Sequence, residues 1–405
     1  MAVTFPRGFV AGTASCGIKA FTAGSTAIPS GQKKDLCVVQ SDRVCDTGGV
    51  FTTNRVKSAS VVIDHLHLQH NRVQALVVNS GNANACTGAQ GFKDALLMAK
   101  ITADHLDLDP DQVLVSSTGV IGRYMPMEAV KSGIIDACAD LDAAHGLDAA
   151  HAIMTTDSKP KLAELEVDLG GVPVRIGGMC KGSGMIHPNM ATMLAYITTD
   201  AAVEPGLMAS MVKAVADLSF NQVTVDGDSS TNDTFLMLAN GAAGNAPISS
   251  GSPEAEMLLG ALLEVAQRLA RSIARDGEGA TKLLTVRVAG AASGDDARLA
   301  ARTVASSSLV KTAIHGGDPN WGRVVCALGY SGAEMAIDRL HLSIGGLTVF
   351  ERGAGVAADL GAVRAVFEQP EIEIVASLGM GEGASEAWGC DLSEEYVRIN
   401  ADYTT

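Results

Sequence analysis

No apolar run in this chain reaches the roughly 20 residues that a membrane-spanning helix needs, because Gly, Asp, Lys or Ser interrupts each one sooner. A soluble protein is expected. The eight cysteines (Cys16, Cys37, Cys45, Cys86, Cys138, Cys180, Cys326 and Cys390) lie far apart and form no Cys-x-x-Cys pair. The N-terminus has neither a basic n-region nor an apolar h-region, so reduced thiols in a cytoplasmic protein are the expectation. Clustered positive charge is also missing. The formal net charge is -15 and the Lys and Arg are scattered, which leaves no electrostatic footprint for nucleic acid. There is no internal repeat, no low-complexity tract and no Pro-rich linker. Any domain boundary therefore rests on composition, and the Gly/Ser/Pro-rich segment 241–253 is the best candidate.

What is present is a globular balance. Hydrophobic residues make up 47% of the chain and charged residues 19%, far from the signature of disorder. With 405 residues the chain can form two or three ordinary domains, or one large domain with an extension. Short β-branched runs at Leu36 to Gln40, Ala75 to Asn79, Gln112 to Ser116, Val172 to Ile176, Leu283 to Val288 and Glu371 to Ser377 are mostly bounded by Gly, Asp, Asn or Ser and read as strands. Phe92 to Leu106, Pro205 to Leu218 and Pro253 to Arg275 have helical periodicity, the last closed by Asp276-Gly277. The class is mixed α/β. Helices do not alternate strictly with strands, and Ala333 to Arg352 is strand-rich without helix, so layered sheets covered by helices fit better than a doubly wound parallel sheet.

The chemistry is sought in the run from Lys181 to Leu194, KGSGMIHPNMATML. Thr192 has no obvious general base beside it. Cutting the peptide bond before it would supply one, because the freed α-amine (pKa roughly 7.7 to 8.0) would lie a few bonds from the hydroxyl. Gly177-Gly178 and Gly182-Ser183-Gly184 around Lys181 allow close approach and positive φ. Attack of the Thr192 hydroxyl on the Ala191 carbonyl, an N-to-O shift and hydrolysis would leave Thr192 as a new N-terminus and a nucleophile. The structural alternative is a Gly-rich turn entering a buried strand.

This run closely resembles the autoprocessing segment of the ornithine acetyltransferase family, some members of which also act as glutamate N-acetyltransferases. Six further segments resemble that family in the same order: NSGNANACTG from Asn79, SSTGVIG from Ser116, MTTD from Met154, TVDGDSSTNDT from Thr224, DPNWGR from Asp318 and WGCDLSEEYVRINADYTT from Trp388. The likeness runs essentially end to end.

The resemblance implies an autoprocessed enzyme of N-terminal-nucleophile type, cut between Ala191 and Thr192 into an α chain (1–191) and a β chain (192–405), two of each per assembly. It makes Thr192 the nucleophile and Thr118 and Gly119 the oxyanion hole. It places substrate contacts at Thr155, Lys181, Thr192, Glu278, Asn400 and Thr405. The implied reaction is ping-pong transfer of acetyl from N-acetylornithine to glutamate in arginine biosynthesis. No cofactor and no metal are implied, and acetyl-CoA as a further donor is left open. On charge grounds, Lys181 would neutralise a carboxylate common to both amino acids and Glu278 would pair with the ornithine ammonium. A related N-terminal-nucleophile amidase or aminopeptidase, with water resolving the intermediate, is the alternative enzyme. A non-processed binding protein would remain one 41.6 kDa chain.

Other signals are weaker. His65, His67 and His70 lie on an amphipathic stretch with no set of ligands to complete a metal site. His187 reads as a loop histidine. The glycines from Gly353 match a dinucleotide fingerprint only loosely. Asp226, Asp228 and Asp233 do not fit a calcium loop and are expected to shape turns.

Overall fold

Strands that are apolar on both faces need cover on both sides, and the β-branched segments of this chain find it by stacking sheet on sheet. The computed structural model describes residues 1–19, 33–187, 193–357 and 359–402. Ala191, Thr192 and Thr405 lie outside the described residues. Strands are numbered in chain order. A four-stranded sheet runs β1 (Phe9–Ala14), β2 (Leu36–Ser41), β4 (Ala75–Asn82), β5 (Val113–Val120), with β4 and β5 parallel. A five-stranded sheet runs β3 (Asp46–Phe51), β9 (Thr234–Ala239), β8 (Leu194–Thr199), β7 (Val172–Lys181), β6 (Lys161–Leu169), with β8 and β9 parallel.

Side chains alternate between faces along a strand. Cys37, Val39, Leu76, Val78 and Leu114 of the first sheet therefore meet Met179, Leu194, Tyr196, Leu236 and Leu238 of the second in one buried core. Their neighbours Leu36, Val38, Ala75, Val77, Val113 and Val115 point the other way, into a core closed by helices Gly88–Leu106 and Met127–Ala139. On the far side of the second sheet Ile176, Cys180, Ile197, Phe235 and Met237 pack against helices Leu207–Asp217 and Pro253–Arg275. The order of layers is helix, sheet, sheet, helix. This is the mixed α/β architecture of layered sheets covered by helices that the sequence pattern favoured.

A third sheet runs β13 (Ala354–Gly355), β12 (Leu347–Glu351), β11 (His341–Ile344), β14 (Glu371–Ser377), β10 (Leu283–Ala291), β15 (Gly383–Cys390). It has its own core, in which Val286, Ile374 and Leu342 meet Ala297, Ala301 and Val304 of helix Gly294–Ser306. Trp388 of β15 is fully buried, bridges to Val223 and joins the core of the second sheet. Residues on both sides of the 241–253 segment, Ala239 and Ala255 among them, share that same core. The glycines from Gly353 sit at the β12–β13 hairpin. No helix among the described residues is long and apolar enough to cross a membrane.

Helix Pro253–Arg275 leads directly to two acidic side chains, because the chain leaving its C-terminal end delivers Asp276 and Glu278. Ser252 caps it by accepting from the Ala255 N–H, Pro253 occupies the first turn, and Glu254 and Glu256 lie where the helix dipole favours acids. Leu258, Leu262, Val265, Leu269 and Ile273 form its buried stripe. Leu262→Ala would open a hole against the second sheet. It is expected to lower unfolding free energy by about 2–5 kcal/mol, measured by chemical denaturation, whereas the same change at half-exposed Met257 would have little effect.

Candidate active site

The parallel pairing of β4 with β5 brings the NSGNANACTG segment beside SSTGVIG. The register breaks where both end: Asn82 faces both Thr118 and Val120, a bulge that bends the strand and redirects its side chains. Gly119 has a φ of +130°, and a Cβ there would fall 2.2 Å from the carbonyl carbon of Gly81, so only glycine fits. The Asn232 amide, from the TVDGDSSTNDT segment, clamps this junction by donating to the carbonyls of Ala83 (2.6 Å) and Ser117 (2.7 Å).

The second sheet contributes Lys181, the last residue of β7. Its ammonium is buried and donates to the Thr118 hydroxyl at 3.3 Å, so it links the ends of the two sheets. Lys181 pairs with Leu194 across the sheet, and the Thr234 N–H bonds the carbonyl of Met193 at 3.0 Å. The strand that follows Ala191 and Thr192 in the chain is therefore held on both sides where it begins, level with Lys181.

Beyond Lys181 the glycines bring the backbone against Glu278. The Glu278 N–H donates to the Ser183 carbonyl (2.8 Å), and the Asn400 side-chain amide donates to a Glu278 carboxylate oxygen (2.8 Å). A Cβ on Gly184 would lie 2.3 Å from the same carboxylate. The Asp226 carboxylate accepts from the N–H groups of Met185 (2.6 Å) and Ile186 (2.8 Å), which holds Met185 at a positive φ of 56°.

Thr118, Gly119, Thr155, Lys181, Glu278 and Asn400 all line one cavity of about 230 Å³, with Asp226, Asn232 and Tyr396 on its walls. The structure thus brings together six of the residues singled out from the sequence. Thr192, Ala191 and Thr405 lie outside the described residues.

Desolvation dominates the electrostatics. Burial pulls the Lys181 ammonium below its ordinary value, and Lys161 adds to this, while Asp157, Asp233 and Glu278 oppose it. Burial likewise raises the Asp226 carboxyl and the Tyr396 phenol. Asp157 goes the other way: despite burial, Lys161 and Lys181 hold its carboxyl down at about 2.

Sequence reading missed the partners of these residues. Asp157 was visible only as the last letter of MTTD, yet its carboxylate accepts from the Thr155 N–H (3.0 Å), the Gly182 N–H (2.6 Å) and the Lys161 ammonium (2.6 Å). Its four-residue spacing from Lys161 was the available signal. Tyr396 and Asn232 lay inside quoted motifs without an assigned part.

Of the discounted residues, Asp226 and Asp228 line the cavity and the histidines stay outside it. His187 bonds the Thr224 hydroxyl at 2.9 Å and lines a different cavity. Burial, helped by Arg302, lowers its pKa to about 4, so the ring is neutral. His67 bonds the Val113 carbonyl, and the His65 ring packs 4.5 Å from that of Phe51. No group of His, Cys, Asp and Glu among the described residues could hold a metal ion.

The profile of the ArgJ family matches residues 12–405. The arginine biosynthesis bifunctional protein ArgJ of Symbiobacterium thermophilum is 50% identical over 403 residues, covering 100% of this chain and 98% of its own. A crystal structure of the arginine biosynthesis bifunctional protein ArgJ from Bacillus halodurans is similar at 41% identity and a TM-score of 0.51, covering 52% of this chain and 100% of its own. Ornithine acetyltransferase from Mycobacterium tuberculosis, solved with ornithine, is 32% identical with a TM-score of 0.39, covering 47% of this chain and 95% of its own.

The packing at Gly184 is directly testable. In a Gly184→Ala variant the new methyl would displace the Glu278 carboxylate, and a crystal structure is expected to show its bond to Asn400 broken. An unmoved Glu278 would refute the close approach.

Proposed function

Since this chain belongs to the ArgJ family, we propose that it is an acetyltransferase of arginine biosynthesis that carries acetyl from N-acetylornithine to glutamate on Thr192, after self-cleavage between Ala191 and Thr192. The observation that carries the reading is the pairing of opposite charges in one small cavity. Lys181 and Glu278 face the same space as Thr118 and Gly119, and both substrates are amino acids with an α-carboxylate, one of which also bears a side-chain ammonium.

In this mechanism the α-amine of Thr192 takes the proton of its own hydroxyl as the oxygen attacks the acetyl carbonyl of N-acetylornithine. The negative charge that develops on the carbonyl oxygen is met by the Thr118 hydroxyl and the Gly119 N–H, donors set in place beforehand. The C–N bond breaks, the departing ornithine amine takes the proton from the Thr192 ammonium, and acetyl remains as an ester. Glutamate then enters, its amine attacks the ester, and the same steps run in reverse to release N-acetylglutamate and the free hydroxyl. Lys181 binds the carboxylate of each substrate in turn. Glu278 binds the ornithine ammonium with Asn400 fixing its orientation, and Thr155 closes the wall beside them. One amide is exchanged for a similar amide, so the barrier is kinetic and water must be kept from the ester. No cofactor is needed for these steps, and acetyl-CoA is a candidate second donor to the same hydroxyl.

Self-cleavage is supported by two features. Met193 and Leu194 are anchored on both sides, so the bond before Thr192 adjoins a held strand. The solved Bacillus halodurans chain is matched whole by 52% of this one, about the share that a single cut at Ala191–Thr192 leaves on one side. Cytoplasmic localisation and an assembly of two α and two β chains complete the proposal.

Intact mass of the purified protein tests the cleavage. Two fragments, each roughly half of 41.6 kDa, are expected for the native sequence. Thr192→Ala should stay whole and inactive, and an unbroken chain with full activity would end the reading. For Glu278→Gln, KM for N-acetylornithine should rise about tenfold or more, because a hydrogen bond to a charged group contributes about 1.5–3 kcal/mol. KM for glutamate should change much less; equal losses in steady-state assays would remove the role given to Glu278.

A further inference from the structure

Behind the cavity wall lies a cluster of charges that touches no proposed substrate. The Lys161 ammonium bonds Asp157 and Asp276 at 2.6 Å each, and the side chains of Lys161, Asp157 and Asp276 are 2%, 0% and 13% exposed. Removing three charges from water is costly unless each is paired and hydrogen-bonded, and a core of apolar residues would serve stability as well. We infer that Asp157 is a positioning residue that holds Lys181 and Thr155 in place opposite Glu278, and so sets the recognition of the carboxylate carried by each substrate. This rests on the substrate roles proposed above for Lys181 and Glu278.

The bonds of Asp157 reach the two segments that carry Thr155 and Lys181. One carboxylate oxygen accepts from the Gly182 N–H, the residue after Lys181, and the other from the Thr155 N–H. Through Lys161 the cluster extends to Asp276, which also accepts from the Ser158 N–H at 3.0 Å. Asp276 follows the last residue of helix Pro253–Arg275 and stands two positions before Glu278. Asp157 thus ties the 154–157 loop, the end of β7 and the helix terminus that presents Glu278.

Charge adds a second effect. Lys181 faces Asp157, Lys161, Lys19, Asp233 and Glu278, with Asp226, Asp228 and Tyr396 across the cavity. Burial favours the neutral amine and Lys161 works in the same direction, whereas Asp157, ahead of Asp233 and Glu278, favours the charged form. A lysine that must bind a carboxylate needs that charge.

The two neighbours therefore have opposite signs, which gives a test that loss of shape cannot imitate. In the full-length, processed protein, the midpoint of Lys181 is followed by NMR of 13Cε-labelled lysine, with Lys181→Arg to assign the signal. Asp157→Asn should lower the midpoint by about one pH unit, the size of effect typical of a close opposite charge. Lys161→Met should raise it by a similar amount. The alkaline limb of kcat/KM for acetyl transfer should move with it, downward in the first variant and upward in the second. If both variants move the midpoint in the same direction, or leave it in place, the inference is overturned. Lys161→Met alone decides the sign should Asp157→Asn fail to fold. Native protein without acetyl transfer would count against the proposed function, while the NMR midpoints would still judge Asp157.

Discussion

A lysine amine stripped of its water is the constraint around which this candidate site is built. Lys181 is only 8% exposed, and a buried ammonium is tolerable only with opposite charge and acceptors close by. The Thr118 hydroxyl accepts from it, and Asp157, Asp233 and Glu278 supply the opposing charge. Lys161 then needs its own partner, which is why Asp276 joins the cluster. Each demand draws in a residue from a different part of the chain, and the result is a cavity whose two signs of charge are held at fixed places.

The layered fold makes this possible at small cost to the core. Apart from the outer strand β6, along which Glu164, Glu166 and Asp168 are exposed, the strands of both sheets are largely buried, and the polar groups of the candidate site sit near strand ends and in the loops that leave them. Thr118 and Gly119 end one strand and Lys181 ends another, in sheets that pack face to face. The site therefore occupies the rim of the sheet-on-sheet core. Glycines make the approach close enough: Gly119 lets two backbones touch at the bulge, and Gly184 lets the backbone rest against the Glu278 carboxylate. The long capped helix fixes the third side, because the chain leaves it at Asp276 and turns through Gly277-Glu278-Gly279.

Much of this was legible locally. The run Pro253 to Arg275 read as a helix from its apolar stripe and closing Asp-Gly, and it has those bounds. Leu36 to Gln40 and Glu371 to Ser377 read as strands and are strands. Other strands run further than their apolar cores suggested: β4 continues through Ser80-Gly81-Asn82 and β7 through Gly177 to Lys181. Glycine and polar residues lower strand propensity, but here the ladder bonds and burial of the neighbouring strands outweigh it. Those extensions border the candidate cavity, so the propensity signal failed where the candidate site begins.

By itself, then, the amino-acid order determined the α/β class, the long helix and the alternating faces of the strands, because each of these depends on side-chain type and on spacing within a few residues, whereas the candidate site residues were named through the resemblance to a family. Only the tertiary structure decided that Thr118, Thr155, Lys181, Glu278 and Asn400 share one cavity, and that Asp157 stands behind them. Strand order and the pairing of buried charges are set by contacts between segments tens to hundreds of residues apart. They depend on which faces must leave water together and which charges must find partners once they do, and no short window of the chain contains that information.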